Sequence, residues 1–177
     1  MTSRADEHDV DKLSRWRRDL ADPAGSPFPA YAIFLVSADD RAAHDVFRAF
    51  RSRFEACHAG FEHLVIFGQH GVSTTVRAML LQFGLPPEAL PALALLSGPK
   101  ASTVYCLRLP PGDATALDAE QSGALWRTVL DAVAAASAAS DEDKRSVDLA
   151  GIDGLAQYEI AREPLLNLVD RLLADLR

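Results

Sequence analysis

The stretch "SADDRAAH", Ser37 to His44, places two adjacent carboxylates and a histidine just after an unbroken apolar run. Asp39 and Asp40 could hold Mg²⁺ if a later strand end supplied a third carboxylate, but the next apolar run ends in Phe67, Gly68 and Gln69. His44 follows Asp40 by one helical turn, the spacing at which a carboxylate can orient a general base. No serine, threonine or cysteine stands as an evident nucleophile for that base. A plainer chemistry accounts for the same residues. Carboxylates at a helix start accept bonds from free backbone amides, and Ser37 with Asp40 has capping-box spacing, although Glu or Gln is the usual partner.

The remaining reactive side chains are scattered. Cys57 and Cys106 belong to no C-x-x-C pair, and each falls within an apolar pattern, where unpaired cysteine acts as a small core hydrophobe. His58, His63 and His70 lack metal-ligand spacing, and "GQHG" lacks the Walker pattern and lysine of a phosphate loop. No metal or other cofactor is expected. Arg41, Arg48, Arg51 and Arg53 make one helix locally basic, either as a solvated face or as a docking surface for an acidic protein segment. The chain as a whole carries a net charge of -7, which disfavours non-specific binding to nucleic acid or anionic lipid. No apolar stretch approaches the roughly 20 residues of a membrane span, and the first residues contain no apolar signal region, so a cytoplasmic location is expected.

At 177 residues the chain suits one core with appendages. Residues 8 to 21 read as an amphipathic lead-in helix carrying Val10, Leu13, Trp16 and Leu20. "YAIFLVS" and "FEHLVIFG" read as fully buried strands, separated by a helix whose apolar stripe is Val46, Phe47, Phe50, Phe54 and Cys57. A second helix follows with Val76, Met79, Leu80 and Phe83, and Gly84 ends it. "PALALLS" and "TVYCLRL" are joined by about five turn-prone residues, too short a link for a parallel crossover, so they form an antiparallel hairpin. A third helix runs through Leu125, Trp126, Val129, Leu130 and Val133. After the charged connector "DEDKRS", Leu165, Leu168, Val169, Leu172, Leu173 and Leu176 give a C-terminal helix with one strongly apolar face.

This α/β order of strand, helix, strand, helix, two-stranded hairpin and helix resembles the thioredoxin fold, with a mixed four-stranded sheet. "FGLPPEALPALALLSG" is similar to the region where that family opens its third strand with a proline, usually cis; Pro91 matches that position. The residues by themselves would make Pro91 a trans proline heading an edge strand. The resemblance covers about residues 28 to 136. It divides the chain into an N-terminal helical extension at 1–27, a thioredoxin-like domain at 28–139, and a connector with C-terminal helix at 140–177. It also implies that Leu90 and Pro91 border a groove for an extended peptide.

The departure lies in "SADDRAAH", which occupies the turn where thioredoxins carry two cysteines. Dithiol chemistry needs a low-pKa thiolate there and a resolving thiol beside it. The sequence has neither, so oxidoreductase activity is not expected. The leading expectation is a non-catalytic module that binds a protein partner as an adaptor or chaperone-like factor. The alternatives are a small-ligand or metal-dependent enzyme domain using Asp39, Asp40 and His44, and an oligomerisation module whose C-terminal helix meets a second copy.

Overall fold

The computed structural model describes residues 4–21, 30–37, 40–41, 45, 61–68, 72–97, 101–109, 115–137, 147–160 and 165–176. The described elements are α1 (Arg4–Ala21), β1 (Ala30–Ser37), β2 (Phe61–Gly68), α2 (Thr74–Phe83), β3 (Ala92–Leu96), β4 (Thr103–Arg108), α3 (Ala116–Ser137), β5 (Ala156–Glu159) and α4 (Leu165–Asp175). The α/β class read from the sequence is therefore the class of the fold. The helix expected over Arg41 to Cys57 lies outside the described residues, apart from Arg41 and Asp45, which are helical.

One sheet has the strand order β2-β1-β3-β4-β5. β1 and β2 run parallel, in register from Ala30 opposite Phe61 to Ser37 opposite Gly68. β3 is antiparallel to β1 and to β4, as the short link between the two predicted a hairpin. The sheet has five strands where four were expected, because β5 pairs antiparallel with β4 inside the segment read as connector and terminal helix. Its four residues, Ala-Gln-Tyr-Glu, are mostly exposed, and a single short alternation of weakly apolar Ala and Tyr with polar Gln and Glu is too brief to stand out as a strand.

β1 is continuously apolar because both of its faces are covered. Successive side chains alternate between two cores. Tyr31, Ile33 and Leu35 join one cluster with α1, α2 and α4 residues, whereas Ala30, Ala32, Phe34 and Val36 join another with α3 and the segment around Val147 to Leu155. β3 alternates likewise, with Ala94 and Leu96 in the first core and Leu93 and Leu95 in the second.

The segments expected to be extensions supply much of the first core. Leu13, Trp16 and Leu20 on α1 are buried, and the Trp16 ring lies 6.1 Å from that of Tyr31 at 56°. On α4, Leu165, Leu168, Val169, Leu172 and Leu173 are buried in the same cluster, as is Leu176 just after the helix. Each such residue contributes about 1.5–3 kcal/mol by leaving water. The apolar face offered by the sequence for contact with a second copy is thus covered within the chain. Arg17 of α1 donates to the Asp170 carboxylate of α4, an exposed ion pair that also raises the Arg17 pKa.

The second face has its own aromatic anchor. Trp126 of α3 lies 6.1 Å from Phe34 of β1 at 58°, with Val129, Leu130 and Val133 beside it. Val147, Leu149, Ile152 and Leu155 complete this core from a loop organised by Asp148, whose Oδ1 accepts the Ala150 and Gly151 amides at 3.0 and 3.3 Å. Gly154 sits in that loop at φ +93°, a conformation strained for any side chain, and a Cβ there would press on Leu125 Cδ2 at 3.2 Å. No described helix is long and apolar enough to cross a membrane.

Candidate functional site

The register brings the described candidates Asp40, Leu90 and Pro91 to one end of the sheet. Ser37 closes β1 opposite Gly68, which closes β2. Ala92, the first residue of β3, pairs with Leu35 near the same end of β1. The turn after β1 and the Leu90–Pro91 lead-in to β3 are therefore neighbours across the strand ends.

Asp40 is half-buried, and its carboxylate folds back onto the strand. Asp40 Oδ2 accepts the Ser37 backbone N–H at 2.6 Å and the Ser37 hydroxyl at 3.0 Å, while the Asp40 N–H donates to the Ser37 carbonyl at 3.2 Å. The acid's half of a capping box is formed. The Ser37 hydroxyl adds a second bond to the same oxygen. One carboxylate oxygen thus carries both Ser37 donors, an arrangement that fixes the turn. Arg41 is exposed beside it. Asp39, His44, Arg48 and Arg51 lie outside the described residues, so the expected constellation of Asp39, Asp40 and His44 and the expected arginine surface are represented by Asp40 and Arg41. Among the described residues, no group of three or more His, Cys, Asp or Glu side chains could hold a metal ion.

On the other side of the junction, the Leu90–Pro91 peptide is cis. Pro91 heads β3, a strand between β1 and β4, and not the edge strand that the residues alone suggested. It is accommodated there because proline at a strand's start takes no amide from the ladder. Its carbonyl accepts the Leu109 N–H at 2.8 Å, extending the hairpin by one tie. Leu90 is half-buried against the first core, and its N–H donates to the Pro87 carbonyl at 3.2 Å, closing the short 3₁₀ turn at Pro87–Ala89. The Leu90 donor is therefore engaged locally, which narrows the expectation that the backbone before Pro91 pairs with a peptide.

α2 begins next to this end and is fixed at both of its own ends. Ser73 Oγ accepts the Val76 N–H at 3.2 Å, and Gly84 adopts φ 65° while Leu85 N–H reaches the Leu80 carbonyl at 2.8 Å. The helix contacts β2, and Gly84 comes against Glu159 of β5, so it crosses the sheet from one border to the other.

Cys106, the described thiol, lies away from the strand ends. It sits inside β4 between Ala94 of β3 and Ala156 of β5, and is 4% exposed. Burial pushes its pKa up to about 12, so at neutral pH it is a thiol and not a nucleophilic thiolate. The sequence reading of Cys106 as a core residue agrees with this position; Cys57 lies outside the described residues. Two ties escaped sequence reasoning altogether. Arg17 and Asp170 are 153 positions apart, and the Leu109 to Pro91 bond depends on hairpin register, so no local spacing announces either.

Comparison of the chain with protein-family models, with curated proteins and with solved structures finds no match.

Proposed function

We propose that this chain is a thioredoxin-like domain used without thiol chemistry, binding another protein through the sheet end that carries the Ser37–Asp40 turn and the Leu90–Pro91 lead-in. The observation that carries the reading is the register. The end of β1 lies beside the start of β3 through the Leu35 and Ala92 pair, within a sheet whose first four strands are ordered β2-β1-β3-β4. In the thioredoxin resemblance, that junction is where a reactive turn faces a proline-headed strand. Here the turn reads Ser-Ala-Asp-Asp, and Asp40 is spent on holding Ser37.

The ligand or metal-dependent reading draws less support, since one oxygen of the Asp40 carboxylate already takes two local donors. The oligomerisation reading loses its motive because the α4 leucines are buried within the chain. Thiol-dependent reduction of insulin tests the non-redox part of the proposal. The rate with the protein should equal that of dithiothreitol alone, and turnover that scales with protein concentration would overturn it.

A further inference from the structure

We draw no further inference here: the strongest candidate, the outer edge of β2, an eight-residue strand at the border of the sheet, carries none because nothing in the structure shows what covers it.

Discussion

The two faces of the sheet are built from different parts of the chain. One is covered by α1, α2 and α4, two of which come from the segments that the sequence reading set apart as extensions. The other, among the described residues, is covered by α3 and the loop from Val147 to Leu155. Both place a tryptophan against an aromatic residue of β1, Trp16 on Tyr31 and Trp126 on Phe34, each at a ring separation of 6.1 Å. The difference teaches that a resemblance covering residues 28 to 136 accounts for four of the five strands of the sheet and for only part of its cover. α1, α4 and the loop from Val147 to Leu155 all lie outside those limits.

Truncation gives the largest test of this view. A chain ending at residue 162 loses Leu165, Leu168, Val169, Leu172, Leu173 and Leu176 from the first core, and α1 loses the helix against which it packs. Such a chain should show no cooperative thermal transition by circular dichroism. A sharp transition close to that of the full chain would make α4 an appendage after all.

Single substitutions sharpen the same comparison. Trp16→Ala and Trp126→Ala should each cost about 3–5 kcal/mol in chemical denaturation, since both remove a large side chain that is at most 3% exposed. Comparable losses would establish the two faces as equal parts of one fold. A cost below about 1 kcal/mol for Trp16→Ala alone, as for a typical surface change, would return α1 to the status of a loose extension.

An effect confined to alkaline pH should separate Cys106 from any reactive thiol. Its pKa is raised from 9.0 to about 12 in the folded chain, so between those values the unfolded chain releases a proton that the folded chain retains. The stability contributed by the neutral thiol is fully present below pH 9 and declines as pH rises towards 12, by up to about 1.4 kcal/mol per pH unit. Denaturation of wild type and Cys106→Ala across this range should show the wild type losing its advantage with rising pH. A constant difference between the two would mean that the thiol is not held neutral by burial.

How much of this was legible in the residues depended on what each signal measures. Apolar runs marked β1 and β2, and a short link fixed the antiparallel sense of β3 and β4, because run composition and loop length are local signals. The helical stripe of α4 was legible too, but its destination was not, since periodicity gives a face and not a partner. β5 was illegible for the opposite reason: it is held by ladder bonds to β4 while its side chains are mostly exposed. At the candidate site, the spacing of Ser37 and Asp40 foretold a bond between them. It could not foretell that the amide and the hydroxyl of Ser37 would meet on one carboxylate oxygen, which depends on the path of the turn. Nor could sequence show that the Leu90 amide turns back to Pro87.

The central claim is that protein binding occurs at the end of the sheet where the turn after β1 meets the lead-in to β3. Site-specific photo-crosslinking in the native host tests it most directly, with the reactive side chain placed at Glu88, exposed two residues before Leu90, or at Asp131, exposed on α3. The account predicts a discrete protein adduct from position 88 and none from position 131. An adduct from position 131 without one from position 88, or none from either, would contradict it.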